Sequence, residues 1–520
     1  MNTKVLGEIC HLSLSYNSSR GEESVIDDLS LQFREGEKVA LLGESGAGKS
    51  SLGRFLGGLL PSSATCREGT WRLEGEDIFS GGAFHNLTDL RKGKIAYIFQ
   101  DPHQSLNPTK TVKEHFEELL LLHHLCPQEE IASRAEELLK SLGFQEPESI
   151  LRAYPFQLSG GMCQRVCIAL CLSLKPRLLI ADEPTSALDI VSAKRVNEHL
   201  KNLEGTTLLL ITHDISVALS VADRIVVLRH GKVCEDLPKE HFLKTAKHAY
   251  TRELIASYRA IGSMQGRRER NEKTLLRLEH LSKSYGHHKV LKDINLEVKE
   301  GEIFGLIGES GSGKSTMARL IMGLEKGEGQ IIFEGRDMGR VTKDDRRHLV
   351  KRRQMIFQNS RGVLNPRRNV LDLVMEPLVY QRLLDEGERR DLAAQLLQRV
   401  GIEEKHWEKR ATGLSTGQCQ RVCIARALSV KPKFLLCDEI LSALDVTTQA
   451  KILELLLELK EDFDLTILMI SHDVRCVQRT CSRIGILHRG ELVGVYRRED
   501  LKGADHAYVR DLFEACSESW

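Results

Sequence analysis

Apolar residues along this chain fall into two recurring patterns. Short bounded runs, KVALLG, RLLIADE and TLLLITHD in the first half and IFGLIG, KFLLCDE and LTILMISHD in the second, read as strands buried on both faces of a parallel sheet. Between such runs, SRAEELLKSLGF, AKRVNEHLKNL and AKILELLLELK carry helical spacing. Strands alternating with helices predict an α/β fold with a parallel sheet. The stretches from Gln100 to LSGG and from Gln358 to LSTG are mostly helical in pattern, which predicts a small helical subdomain in each half.

The two halves repeat each other. GESGAGKS, Gly43 to Ser50, returns as GESGSGKS, Gly308 to Ser315, with Lys49 and Lys314 separated by 265 positions. Gln100 and Gln358 are 258 apart, Asp182 and Asp438 256, and His213 and His472 259. Each half opens on LSLSY or LSKSY, ending at Tyr16 and Tyr285, and closes on HAYTREL or HAYVRDL, beginning at His248 and His506. Landmarks in one order at near-equal offsets mark a tandem duplication. Apolar periodicity stops in SYRAIGSMQGRRERNEK, so domains are expected at 1–256 and 274–520 with a linker at 257–273. Fully extended, that linker could span roughly 55 Å.

Composition fits this plan. A chain of 520 residues exceeds one compact domain. Lys+Arg 74 against Asp+Glu 73 leaves a formal net charge of +1, with no global field toward nucleic acid or acidic lipid. No run approaches the roughly 18 uncharged apolar residues of a membrane span, and the N-terminal stretch lacks a signal-peptide core. The expectation is a soluble, cytosolic protein with reduced thiols, its 13 cysteines being an odd number.

GxxxxGK[ST] after a strand and before a helix is a phosphate-binding pattern, because its glycines let backbone N–H groups turn around phosphate oxygens. Lys49 and Lys314 would neutralise the β and γ phosphates of a nucleotide, and the Ser50 and Ser315 hydroxyls would ligate Mg²⁺. LLIADE and FLLCDE set acidic pairs at the carboxyl edge of the sheet, where open α/β folds bind ligands. Asp182 and Asp438 suit the Mg²⁺ shell, and Glu183 and Glu439 suit polarising an attacking water. His213 and His472 end another strand and could contact the γ phosphate or hold that water. LSGGM and LSTGQ each precede a helix, whose exposed N–H donors offer a second anion site.

These elements together resemble the ATP-binding cassette ATPases, over nearly the whole chain twice. The resemblance implies two tandem P-loop NTPase domains, each with a parallel-sheet core, an antiparallel β subdomain and a helical subdomain. It assigns nucleotide binding to Tyr16, Gly43, Ser45, Gly46, Gly48, Lys49, Ser50, Ser51, Gln100, Ser159, Gly160 and Gly161. In the second half it assigns Tyr285, Gly308, Ser310, Gly311, Gly313, Lys314, Ser315, Thr316, Gln358, Ser415, Gly417 and Gln418. Ser50, Gln100 and Asp182, with Ser315, Gln358 and Asp438, would hold Mg²⁺, while Glu183, Glu439, His213 and His472 would be catalytic. Ser186–Asp189 and Ser442–Asp445 match the D-loops. Head-to-tail pairing, as the family implies, combines Lys49, Gln100, Asp182, Glu183 and His213 with Ser415 and Gly417, and the reciprocal set with Ser159 and Gly161. Thr416 stands where the family has a first signature glycine, Met162 where it has glutamine, and Ile440 where the first half has Pro184. Thr416 adds bulk near phosphate at the first site.

FQDPHQSLNP and FQNSRGVLNP, with HAYT and HAYV downstream, resemble the peptide and nickel importer branch, whose paired ATPases here are fused. The short sequence after each HAY element tilts toward nickel or metallophore cargo. The branch implies two transmembrane permease subunits, an extracytoplasmic substrate-binding protein, and a peripheral place on the cytoplasmic face of the membrane, without nucleic acid. Two other readings are a tandem-cassette ATPase acting on ribosomes, disfavoured by the short seam, and a vitamin importer of the energy-coupling kind, which would lack LNP and HAY. Cys163, Cys167 and Cys171, matched by Cys419 and Cys423, share a helix face and are read as core packing, and His123-His124 and His287-His288 as solvated pairs. With both glutamates and both histidines present, both sites are expected to hydrolyse ATP. Turnover of Glu183→Gln and Glu439→Gln, measured separately, should fall in each; unchanged activity in either would argue against two working sites.

Overall fold

The computed structural model describes residues 4–18, 21–102, 105–186, 188–263, 273–309, 311–442 and 444–517. The chain divides into two compact units whose main bodies are Met1–Ala256 and Ser257–Cys516. The division falls inside the helix Ala249–Ser263. Residues 257–263, expected as the start of a linker, continue that helix. Residues 264–272 of that seam lie outside the described residues.

The strands of the first unit are β1 (Val5–Ser18), β2 (Gly21–Arg34), β3 (Lys38–Gly43), β4 (Ala64–Leu73), β5 (Glu76–Ser80), β6 (Ala83–Phe84), β7 (Ile95–Ile98), β8 (Leu178–Asp182), β9 (Thr207–Ile211), β10 (Arg224–Arg229) and β11 (Lys232–Pro238). They form an antiparallel sheet in the order β2-β1-β4-β5-β6 and a main sheet in the order β11-β10-β3-β9-β8-β7. From β10 to β7 the main sheet is parallel, with β11 added antiparallel at the edge. KVALLG, LLIAD and TLLLI, the runs picked out by hydropathy, are β3, β8 and β9.

Every residue of β8 and β9 is buried, and alternate side chains serve different layers. Leu178, Ile180, Leu209 and Ile211 pack with Phe33, Phe55 and Trp71 beneath the antiparallel sheet. Leu179, Ala181, Leu208 and Leu210 pack on the other face with Phe116, Leu120 and Ile168 of the helical layer. A period of two with apolar residues on both faces is what a sheet sandwiched between two layers requires. The helical layer includes Val112–Leu122, Gln128–Ser141 and Pro147–Arg152, between Gln100 and the signature as expected.

The second unit repeats this plan with β12 (Thr274–Tyr285), β13 (His288–Lys299), β14 (Ile303–Gly308), β15 (Glu328–Phe333), β16 (Arg336–Asp337), β17 (Arg353–Ile356), β18 (Phe434–Asp438), β19 (Thr466–Ile470), β20 (Arg483–His488) and β21 (Glu491–Arg497). The sheets run β13-β12-β15-β16 and β17-β18-β19-β14-β20-β21. Helices Val370–Tyr380 and Glu386–Arg399 occupy its helical layer. Among the described residues no helix is long and apolar enough to cross a membrane.

Cys163, Cys167, Cys419 and Cys423 are buried, and their thiols donate to the carbonyls of Pro155, Pro102, Ala411 and Ser360. Burial pushes the Cys423 thiol up to about 11, so these side chains act as small apolar fillers. His124, His287 and His288 are exposed as expected; His123 is half-buried.

Candidate functional site

Strand β3 ends at Gly43, where the chain must turn away over β10. Parallel register sets Gly43 opposite Leu228, and a Cβ on Gly43 would lie 2.2 Å from the Leu228 carbonyl oxygen. In the second unit Gly308 faces Leu487, with the corresponding distance 2.0 Å. No side chain fits either position. Gly46 and Gly311 have φ of 87° and 79°, and a Cβ on either would point into open space with nothing within 4 Å, so each leaves room for a ligand beside the backbone. Gly48 and Gly313, at φ 99° and 105°, start the helices Lys49–Leu56 and Lys314–Met322. Ser45 is exposed at the tip of the loop; Ser310 lies outside the described residues.

The loop holds its own lysine. Lys49 Nζ donates to the carbonyls of Gly43 and Glu44, both at 2.8 Å. Lys314 Nζ repeats this on Gly308 and Glu309 at 2.9 and 2.7 Å. One residue on, the Ser50 hydroxyl donates to Asp182 Oδ1 at 3.1 Å, and the Ser315 hydroxyl to Asp438 Oδ1 at 3.3 Å. Burial raises both aspartates above the usual carboxylate range; the neighbouring glutamates add to this, and the serine hydroxyls oppose it. A buried carboxylate beside a hydroxyl and a second carboxylate offers hard oxygen donors, and that donor set fits a Mg²⁺ ion.

Glu183 and Glu439 follow those aspartates with φ of 49° and 48°. A left-handed conformation at a non-glycine residue costs about 1–3 kcal/mol and clusters at functional sites. It is held here by backbone bonds from Glu183 N to Ile211 O and from Glu439 N to Ile470 O, both 2.9 Å. The two glutamates differ in their partners. His213 Nδ1 lies 2.7 Å from Glu183 Oε1. Burial lowers the His213 pKa, but the bond and charge of Glu183 outweigh it and the net shift is upward. In the second unit Gln358 Nε2 donates to Glu439 Oε2 at 2.7 Å, with His472 Nδ1 3.6 Å from the same oxygen. The His472 ring holds Glu439 below the ordinary carboxylate range against the opposing effect of burial. Gln100 stands exposed, two residues past β7.

Tyr16 lies near the end of β1 and Tyr285 closes β12. The Tyr16 hydroxyl donates to Ser51 Oγ at 3.2 Å, which ties it to the phosphate-loop helix. Tyr285 instead bonds the Glu325 carboxylate, and the Lys283 ammonium lies 4.8 Å from its ring centroid. Tyr285 interacts with Thr316 as well, so both tyrosines reach the same helix position.

Each signature serine caps the helix behind it. Ser159 accepts from Met162 N at 3.3 Å, opening the helix Gly160–Ser173. Ser415 accepts from Gln418 N at 3.2 Å, and Gln418 Oε1 accepts in return from Ser415 N at 2.9 Å. That capping box is complete only in the second unit, because Met162 has no oxygen to return the bond. Thr416 is the first residue of the helix Thr416–Leu428, and a Cβ on Gly417 would sit 2.7 Å from the Thr448 methyl. Gly160, Gly161 and Gly417 are half-buried and both serines exposed.

The description "ABC transporter" matches residues 26–186 and 291–442. The chain belongs to the ABC transporter family. It is 34% identical over 550 residues to the glutathione import ATP-binding protein GsiA of Escherichia coli O157:H7, covering 97% of this chain and 88% of that protein. The ABC transporter ATP-binding protein YejF of Escherichia coli strain K12, itself uncharacterized, is 35% identical over 507 residues, 94% of this chain and 95% of that one. A dimeric cassette solved in a post-hydrolysis state with ADP and phosphate is 32% identical over 43% of this chain and 99% of its own, at a TM-score of 0.40. The α/β tandem-cassette reading and the ATPase class follow from the family.

One contact at this ABC site was not legible in the motifs. The Tyr97 hydroxyl, on β7, donates to Asp182 Oδ2 at 2.9 Å, so both oxygens of Asp182 are bonded. Met355 occupies the matching place in the second unit. The difference between IAYIFQ and RQMIFQ was the available signal. Tyr97→Phe should destabilise the ligand-free protein by about 1–3 kcal/mol in chemical denaturation, whereas Met355→Leu should cost under about 1.5 kcal/mol. The raised pKa of His213 makes the Glu183 contact stabilising below the unfolded imidazole value of about 6.5, with that contribution lost as pH rises through the folded value. His213→Ala should flatten that slope in denaturation midpoints measured across pH 5 to 9; an unaltered slope would exclude this pair as its source.

Proposed function

We propose that the chain is the ATP-hydrolysing motor of an importer for peptide-like cargo, working with two separate transmembrane permeases at the cytoplasmic face of the membrane. The observation that carries this reading is 34% identity along 97% of the chain to a glutathione import ATP-binding protein. Full-length similarity to a fused importer ATPase favours peptide-like substrates over nickel or a metallophore. An extracytoplasmic binding protein delivering the cargo belongs to this reading as well.

In the proposed cycle Lys49 and Lys314 neutralise the β and γ phosphates, and the loop N–H groups cradle them. Ser50, Gln100 and Asp182, and Ser315, Gln358 and Asp438, would hold Mg²⁺, which when bound offsets phosphate charge. Glu183 and Glu439 accept a proton from the water that attacks the γ phosphorus as its bond to the β-phosphate oxygen breaks. His213 and His472 orient those glutamates, and the signature helix of each domain supplies N–H donors to the nucleotide held by the other. Closure on ATP and reopening after release of ADP and phosphate is the two-state step that drives the permeases.

Two measurements test this. Lys49→Ala and Lys314→Ala should each reduce phosphate release by roughly a hundredfold or more at the altered site, and unchanged release in either would refute the assignment of that loop. Tagged protein drawn from solubilised membranes should carry two polytopic membrane proteins; recovery with ribosomal subunits instead would overturn the transporter reading.

A further inference from the structure

The closing HAY elements take no part in the chemistry above, yet each unit wires its tyrosine to the phosphate loop in the same way. Tyr250, 2% exposed on the helix Ala249–Ser263, lies with its ring centroid 4.6 Å from Arg229 Cζ. Arg229 Nε is 3.3 Å from Glu44 Oε1. In the second unit Tyr508, on the helix Ala507–Ser517, stacks on His488 with centroids 4.1 Å apart and planes at 29°. His488 Nδ1 is 3.6 Å from Glu309 Oε2. The offsets of these three pairs, 258 for the tyrosines, 259 for the basic residues and 265 for the glutamates, are those of the repeat itself.

Strand register explains the geometry. Leu228 pairs with Gly43 and Leu487 with Gly308, so the next residues along each strand, Arg229 beside Glu44 and His488 beside Glu309, leave the sheet as neighbours. Glu44 and Glu309 are also the residues whose carbonyls hold Lys49 and Lys314. One residue therefore has its carbonyl aimed at the lysine and its carboxylate aimed at a basic side chain resting on the HAY tyrosine.

We propose that the HAY tyrosines, Tyr250 and Tyr508, are positioning residues for the phosphate loop, acting through the basic side chain that faces the glutamate at the second position of that loop. A carboxylate at the mouth of the loop repels a polyphosphate. Arg229 offsets that charge in the first unit, and the tyrosine face fixes the guanidinium by stacking and cation–π attraction. The inference rests on the phosphate loops holding ATP.

The test is titration of a fluorescent ATP analogue with Mg²⁺ into the full chain carrying Lys314→Ala, so that only the first loop binds. In that background Arg229→Leu and Tyr250→Leu should weaken binding about three- to tenfold, and Tyr250→Phe, which keeps the ring, should bind as the parent does. Adding Glu44→Gln to Arg229→Leu should restore affinity, an outcome that lost packing alone would not produce. Unchanged binding by Arg229→Leu, failure of Glu44→Gln to restore it, or equal loss in Tyr250→Phe and Tyr250→Leu would each overturn the proposal. Because Arg229 and Glu44 are partly exposed, their variants report even if Tyr250→Leu does not fold. A parent that binds no nucleotide would refute the ATP reading itself, and it is recognised because every variant is then equally silent.

Discussion

Both sites depend on a close approach of backbone to backbone. Where β3 meets β10, and β14 meets β20, the first glycine of the phosphate loop lies against a carbonyl of the neighbouring strand with no room for a Cβ. That contact fixes where the loop leaves the sheet, and hence where the lysine-bearing helix begins. It also fixes which residues are neighbours at the edge: the lysine against its own loop carbonyls, and the glutamate against the last residue of the next strand. A larger residue would have to separate two hydrogen-bonded strands, so the cost falls on the sheet rather than on the loop alone.

Around that fixed point each unit concentrates features that oppose stability. A carboxylate is buried deeply enough to be raised above its usual range, and the next residue is a glutamate in left-handed backbone. Neither feature is needed to complete a sheet, and each would be relieved by an ordinary polar residue in an extended conformation. Their recurrence at corresponding positions of both units means that the same burden has been kept twice. Groups of this kind, costly alone and relieved by a cation and a phosphate, are what the proposed nucleotide site would require.

Much of this was readable from the sequence. Continuous apolar runs became the buried central strands, because a sheet covered on both faces leaves no polar position along VALLG or LLLI. The phosphate loop, acidic pairs and signatures were legible because each is a local run whose chemistry is set by backbone conformation. What escaped were contacts across the sheet. Tyr97 meets Asp182 only because β7 is paired with β8, although 85 residues separate them, and Arg229 meets Glu44 only through the pairing of β10 with β3. Helical backbone at seam residues 257–263 was not legible either, because the local composition of charge and glycine looks irregular.

Duplication offers an internal comparison that a single domain would lack. Elements of backbone geometry are nearly the same in the two units: φ at Gly46 and Gly311, at Gly48 and Gly313, and at the left-handed glutamates agrees within 8°, and the lysine bonds within about 0.1 Å. Side chains that press on this frame from outside diverge more. Tyr97 is exchanged for Met355, Arg229 for His488 and Gln418 for Met162, and the glutamate that His213 bonds in the first unit is shared by Gln358 and His472 in the second. The exchanges at Tyr97 and Gln418 each remove or add one bond to a group that the frame has already placed, whereas Arg229 and His488 face the same glutamate position. Fused halves can therefore differ in how firmly they hold the carboxylates and the helix N-terminus while the geometry of phosphate binding stays common to both. Selection acting on one half alone has that much freedom, since a change at a frame glycine would break the sheet, whereas a change at Tyr97 or Met162 alters the strength of a single contact.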